Sequence, residues 1–322
     1  MKKGILINYI ELGYAPMSAY TFKQLIRDKQ FSKNVIDSHL YIIAQRRELT
    51  FNNFYFPSPK EVRFEIMQEN ADNIIKCALP LFQKNIATDT TKSVEMRLQN
   101  RKNTLEKKAE PPYNGTQRII FKETDEKKNE SRRLLWLTPE KLLHHHWKGN
   151  IEVELTGDYR EMLKYKVHYV GKSTEQNICN RLSNHSTFQE ILISEDTLAY
   201  GNIPSNEIVI LLLRIKDNNT IVTWDSDSSD EEVVEYLSNY LLPNDRTVSL
   251  DAEKALIKHL QPEYNKILYN SYPNENDLLS KDFHDVILYC FTDPITLVYQ
   301  NGLIGGSQNL DERDYISVKK KD

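Results

Sequence analysis

The chain has no long apolar run. None exceeds six residues, as at 208–213, far short of the roughly 20 that a membrane-spanning helix needs. Cysteine is scarce. Cys77, Cys179 and Cys290 are odd in number and widely spaced, which argues against a disulfide framework and for a reducing, cytoplasmic setting. Lys2 and Lys3 precede a weakly apolar start, but Glu11 interrupts it and no small-residue cleavage site follows, so a secretory signal is not expected. No internal repeat and no helix-turn-helix, zinc or heptad signature is present.

What is present suits a soluble globular chain of 322 residues, 27% charged and 39% hydrophobic. The net charge of -4 conceals an asymmetry. Residues 1–150 hold 26 Lys+Arg and 17 Asp+Glu, a net of +9. Residues 151–322 hold 16 and 29, a net of -13. A basic front and an acidic back fit a chain that docks a polyanion with one part, although solubility alone also produces such splits.

Taken in order, residues 18–28 and 32–47 carry apolar side chains at helical spacing, among them Val35, Ile36, Leu40, Ile43 and Ala44. Ser58-Pro59 suggests another helix start, and Pro80 a break in a helix holding Ile74, Ile75 and Cys77. The expectation is a mainly helical module over residues 1–110, for DNA binding, dimerisation or simple packing. Residues 99–115, with Lys107, Lys108, Pro111 and Pro112, read as a linker. Strands are expected at 118–121 and 134–137, with a charged connection between them. A helix then opens at Thr138-Pro139 and runs through His144, His145 and His146, which point in different directions and make a poor metal site. Residues 151–155 and 167–170 read as a β-hairpin around Thr156-Gly157-Asp158. Residues 208–213 read as a buried central strand. Residues 217–247, with an acidic run from Asp225 to Glu235, look inserted. Residues 286–291 and 295–299 suggest a C-terminal hairpin, and the chain from Asp311 looks disordered.

Residues 165–185 carry the most information. They read as a strand, a turn at Gly171 and a helix, with Ser173 and Gln176 matching a capping box. Ile178 and Leu182 lie four apart and give the helix an apolar stripe; Arg181 and His185 share a second face. Further on, Leu256, Ile257 and Leu260 lie three, four and seven residues after Glu253. That spacing turns Glu253 inward, where a carboxylate needs a cation or a hydrogen-bond partner. Taken singly, Tyr169 and His185 also read as packing residues and Arg181 as a surface charge. Together, with an inward Glu253, they form a set suited to a phosphodiester.

In this order the residues resemble the GIY-YIG nuclease family, nearest its restriction-endonuclease branch. Tyr169-Val170-Gly171 matches the second half of the family name. Arg181-Leu182 with His185, Glu253 with Leu256-Ile257, and Pro262 with Asn265 match later motifs. The resemblance spans roughly residues 149–266. It implies an α/β (α+β) fold: a small mixed sheet flanked by helices over residues 111–272, with the helical module before it and a β-hairpin and tail over 273–322. A clear Gly-Ile-Tyr is absent. Either Tyr159, in Gly157-Asp158-Tyr159, supplies the first tyrosine, or Ile151, after Gly149-Asn150, stands in its place.

The resemblance implies a metal-dependent endonuclease acting on double-stranded DNA, in restriction or anti-phage defence, with a homodimer as one possible assembly. Glu253 would hold Mg2+ (or Mn2+), and Arg181 would clamp the phosphate in a two-pronged contact. Tyr159 or Tyr169 would position or deprotonate water, with Lys172 and His185 as neighbouring cations, since an ordinary phenol has a pKa of about 10. Asn265 would hold the geometry. The alternatives are an inactive domain that binds nucleic acid or a partner, and a repair or homing nuclease.

Overall fold

Residues 40–44 decide the architecture. Leu40, Tyr41, Ile42, Ile43 and Ala44 are each 0% exposed. A helix on the protein surface would turn some of them outward, whereas a strand with neighbours on both edges and layers on both faces buries them all. In the computed structural model they lie in such a strand. The structure describes residues 3–69, 71–87, 93–100, 111–125, 130–195, 206–224, 226, 228–231, 234, 243–274, 277–278 and 284–320.

The elements in chain order begin with β1 (Lys3–Leu12), β2 (Met17–Ser18), α1 (Ala19–Leu25), α2 (Lys29–Asn34) and β3 (Leu40–Arg47). Next come β4 (Leu49–Ser58), β5 (Glu61–Gln68), β6 (Ile74–Pro80), β7 (Ser93–Gln99), β8 (Arg118–Asp125) and β9 (Glu130–Leu137). Then follow α3 (Pro139–Trp147), β10 (Glu154–Thr156), a 3-10 turn (Arg160–Leu163), β11 (Lys164–Lys172), α4 (Ile178–Ser183), α5 (Ser186–Glu195) and β12 (Asn206–Thr223). The last are α6 (Asp245–Leu260), β13 (Val286–Phe291), β14 (Thr296–Tyr299), β15 (Gly302–Gly305), a second 3-10 turn (Leu310–Glu312) and β16 (Tyr315–Lys319).

The main sheet has nine strands in the order β15-β14-β11-β3-β12-β1-β13-β16, with β2 pairing to β12. It is mixed: β1 with β13 and β11 with β14 run parallel, while β3 runs antiparallel to both of its neighbours. Two smaller antiparallel sheets, β10-β6-β5-β4 and β7-β8-β9, come from the chain between β3 and β11. Alternation along β3 splits the core in two. Leu40, Ile42 and Ala44 join the larger cluster, with the second sheet, α3 and α6. Tyr41 and Ile43 face the other side and pack with Phe22, Phe31, Ile178, Leu182 and Ile191 of α1, α2, α4 and α5.

This strand-rich architecture, built on one large mixed sheet, corrects the expected fold class of a small α/β domain behind a helical N-terminal module. In residues 32–47 the three-and-four spacing imitates a helix because both faces of β3 are buried; only Lys29–Asn34 is helical there. Around Cys77 the burial alternates, with Ile75, Cys77 and Leu79 inside and Lys76 outside, the period of a strand. Pro59 and Lys60 form the turn between β4 and β5, with Ser58 opposite Glu61.

The expected hairpin of β10 and β11 does not form. β10 pairs with β6, and β11 pairs with β3 and β14. Gly157 explains the first pairing. Its φ is +123°, and a Cβ there would sit 2.6 Å from the Ile74 carbonyl oxygen, so the turn lies directly on the second sheet. β13 and β14 exist as strands but pair with other partners, and the tail beyond Asp311 includes β16, the edge partner of β13. Part of the supposed insertion is the far half of β12, where Thr223 still pairs with Lys3. Residues 101–110 of the supposed linker, residues 126–129 of the charged connection, and Asp225, Asp227, Glu232 and Glu235 lie outside the described residues. Among the described residues no helix is long and apolar enough to cross a membrane.

Candidate active site

The site is assembled where β11 ends against β3. Gly171 stands opposite Tyr41, and Tyr169 opposite Ile43. Tyr41 and Tyr169 are therefore diagonal neighbours on one face, and their rings stack at 6.0 Å with 27° between planes. Gly171 makes the stacking possible. A Cβ at that position would lie 2.5 Å from Tyr41 Cζ and 2.7 Å from Tyr169 Cε1, closer than packed carbon atoms approach.

His185 closes the group from the helical side. Its ring meets Tyr169 at 4.9 Å and Tyr41 at 5.9 Å, edge-on to both. Nδ1 accepts the Phe188 amide at 3.1 Å, so His185 caps α5, and in the neutral ring the proton is assigned to Nε2. Burial, with help from Arg181, pushes the imidazole down to about 4. It is therefore neutral at pH 7, which corrects the expectation that His185 is a cation beside the tyrosine.

Arg181 of α4 is the cation that does bear on the phenols. Burial raises Tyr41 well above the ordinary phenol range, and Arg181 pulls against that rise. Tyr41's hydroxyl faces Arg181 and the Tyr169 hydroxyl without a well-formed hydrogen bond to either. Tyr169 is raised too, first by burial and then by the charge of Glu253. Both phenols thus keep their protons at neutral pH.

Helix α6 delivers the acid. Its N-cap, Asn244, accepts the Thr247 amide at 2.9 Å. Its C-cap, Gln261, takes the left-handed conformation at φ 46° ahead of Pro262. Asp251 and Glu253 both point inward. Asp251 accepts the Tyr272 hydroxyl at 2.6 Å, the Tyr289 hydroxyl at 2.5 Å and the Leu278 amide at 3.1 Å. That carboxylate is fully used in holding the C-terminal segment. Glu253, 7% exposed, has an ion pair with Lys172 Nζ at 2.8 Å. Burial raises its carboxyl above the usual range, opposed by Lys172, Arg181 and Lys254.

Asn265 acts on the backbone. β14 pairs with β11 only at residues 164–166, so the rest of that edge is open. Asn265 donates to the Val170 carbonyl at 2.8 Å and accepts the Val170 amide at 2.9 Å. Tyr264 donates its amide to the His168 carbonyl at 3.1 Å. The chain after α6 thereby fixes the strand that carries Tyr169.

Of the residues picked from the sequence, Tyr169, Lys172, Arg181, His185 and Glu253 come together, with Asn265 bracing them. Tyr159 does not join them. It stands before the first 3-10 turn and packs on His146, with ring centroids 6.1 Å apart, and on the larger core. Ile151 is buried in that same core. The second tyrosine of the cluster is Tyr41, which local sequence reasoning missed because its partner strand lies about 130 residues downstream. Ser173 is not the helix cap either. Its hydroxyl donates to the Gln176 carbonyl at 2.7 Å, and Asn177 caps α4 by accepting the Cys179 amide at 2.8 Å. No family model, no curated protein and no solved structure matches this chain.

Proposed function

We propose that the chain is a metal-dependent endonuclease that hydrolyses phosphodiester bonds in double-stranded DNA, as the GIY-YIG resemblance implies. The observation that carries this reading is the convergence of two stacked phenols, a guanidinium, an ammonium and a desolvated carboxylate from β3, β11, α4 and α6. With Arg181 and Lys172 against Glu253, the formal charge of the group is +1, which suits a phosphate diester. Tyr41 follows His39-Leu40, where the family pattern has Gly-Ile, so a long insertion separates the two halves of the motif.

The donor set fits Mg2+ or Mn2+. A hard divalent cation can be held by one carboxylate, with water and phosphate oxygens completing its shell. Glu253 is an inward carboxylate whose partner is a lysine one-third exposed, so an ion can displace that ammonium. The ion would supply Lewis-acid stabilisation of charge on the leaving oxygen. Arg181 pairs with the non-bridging oxygens, where charge gathers in the transition state. Tyr41 and Tyr169, protonated at rest, orient the attacking water by hydrogen bonds, and Arg181 eases loss of a phenolic proton. His185 packs edge-on against both rings and fixes their position. Lys172, released from Glu253, faces the phosphate.

Supercoiled plasmid incubated with Mg2+ tests the reading. Nicking by the wild type and its loss in Glu253→Gln support it; no nicking, or equal nicking by both, overturns it. The Lys172–Glu253 ion pair favours one second reading, binding of nucleic acid without cleavage, in which Lys172 permanently occupies the carboxylate. Retention of a DNA duplex by both proteins in the presence of chelator, with no cleavage, would select it.

A further inference from the structure

Strand β11 carries a second polar group, on its bulge. The register against β3 slips between Val167 and Tyr169, which makes His168 the extra residue that a bulge re-aims. Its side chain is fully buried. Nε2 lies 3.8 Å from Oε2 of Glu195, the last residue of α5, and 3.3 Å from Oε1 of Gln45. Nδ1 has no hydrogen-bond partner. Glu263, exposed in the loop after α6, completes the group. One ligand atom from each of His168, Glu195 and Glu263 lies within 4.8 Å of the other two, and no other such group of three occurs among the described residues.

Hydrogen bonding alone leaves this arrangement unexplained. Nε2 faces two acceptors, Gln45 Oε1 and Glu195 Oε2, and a single N–H cannot serve both. The two carboxylates, brought within reach of each other, repel unless a cation lies between them. Second contacts fix the ligands in place. Tyr264 donates its hydroxyl to Glu195 Oε1 at 2.8 Å, and Gln45 donates Nε2 to the Glu195 carbonyl at 3.1 Å. A neutral imidazole with two oriented carboxylates is a donor set for a divalent transition ion.

We propose that His168, Glu195 and Glu263 bind a divalent ion of the Zn2+ class, at a site separate from Glu253. Metal–ligand bonds of about 2.0–2.2 Å in tetrahedral geometry place ligand atoms about 3.4 Å apart. The 3.8 Å between His168 and Glu195 closes to that with a small side-chain rotation. A water fills the fourth position. The ion ties three elements together: the bulge of β11, the end of α5 and the loop after α6. Tyr169 is the residue after His168, and Asn265 lies two beyond Glu263. The ion therefore braces the strand and the loop that shape the candidate active site, and it takes no part in the chemistry. The proposal does not depend on the nuclease reading.

Calorimetric titration of metal-free full-length protein with Zn2+, repeated with Co2+ followed by visible absorption, is the test. One Zn2+ per chain is expected, with a melting temperature several degrees higher when it is bound. Glu253→Gln keeps that affinity. Glu263→Gln, at an exposed side chain that leaves the metal-free melting temperature unchanged, weakens Zn2+ binding at least 10-fold, and the double variant with Glu195→Gln at least 100-fold. Absence of binding, or equal affinity in wild type and double variant, as the histidine run His144–His146 alone would give, overturns the proposal.

Discussion

Replacing Glu253 by Gln is expected to stabilise the protein while removing the proposed nicking activity. The upward shift of the Glu253 carboxyl persists against Lys172, Arg181 and Lys254. Burial therefore destabilises the ionised form by more than those three cations return. Because the folded pKa lies above the unfolded one, stability from this group is fully present below the unfolded value of about 4.5 and is lost as pH rises through the folded value. Gln is neutral at every pH and removes that loss. Lys172, 33% exposed at its side chain against 9% for Glu253, recovers hydration when its partner is gone. Relief of a strained functional position is typically about 0.5–2 kcal/mol. An unfolding entropy of about 2.1 cal/mol/K per residue over 322 residues gives about 0.7 kcal/mol/K, so 1 kcal/mol moves the midpoint by about 1.5 °C. Calorimetry from pH 4 to 8, in chelator, should show Glu253→Gln melting about 1–2 °C above wild type at pH 7 and level with it near pH 4. A midpoint lowered at pH 7 would refute the reasoning and make Glu253 a structural acid like Asp251.

Three further outcomes follow from the packing. Gly171→Ala drives a methyl into both tyrosine rings and should destabilise by about 1–3 kcal/mol, read by denaturant melts, with cleavage falling alongside. Arg46→Met removes the guanidinium that is ion-paired to the buried Glu140 and Glu207. It should lower stability by about 3–5 kcal/mol; a loss under 1 kcal/mol in the same melts would contradict the triad's role. His185, lowered to about 4, should keep the 15N shifts of a neutral ring at pH 5.5. Its folded pKa lies below the unfolded one, so its stability contribution is present above about 6.5 and is lost as pH falls toward 4. Protonation near pH 6.5 would contradict the buried, Arg181-facing placement.

The candidate site was more legible in the sequence than the fold around it. Spacing alone turned Glu253 inward and picked out the strand at 167–170 and a helix holding Ile178 and Leu182, although β11 runs on through Gly171 to Lys172, α4 starts only at Ile178, and His185 lies beyond its end. These are short-range features, set by neighbours three to seven residues apart. Strand pairing is not short-range. Nothing near Tyr41 records that its opposite number is Gly171, because two small sheets and α3 are threaded between them. Double burial gave β3 a helical apolar spacing. β13 and β14 were recognisable as strands, but their partners β1, β16, β11 and β15 were not, since pairing depends on the whole sheet. The bulge at His168 was equally invisible, being a property of register between two strands rather than of either sequence.

The identity of the second tyrosine is the sharpest point of the proposed mechanism, and one rate comparison addresses it. Initial nicking rates of supercoiled plasmid in Mg2+ should be measured for wild type, Tyr41→Phe and Tyr159→Phe, each checked for an unchanged melting temperature. Removing a phenol that orders or deprotonates water should slow nicking by about 10²–10⁴-fold. Tyr41→Phe is expected to show that loss, with Tyr159→Phe at the wild-type rate. Full activity in Tyr41→Phe, or the loss falling on Tyr159→Phe instead, would contradict the site built on β3 and β11.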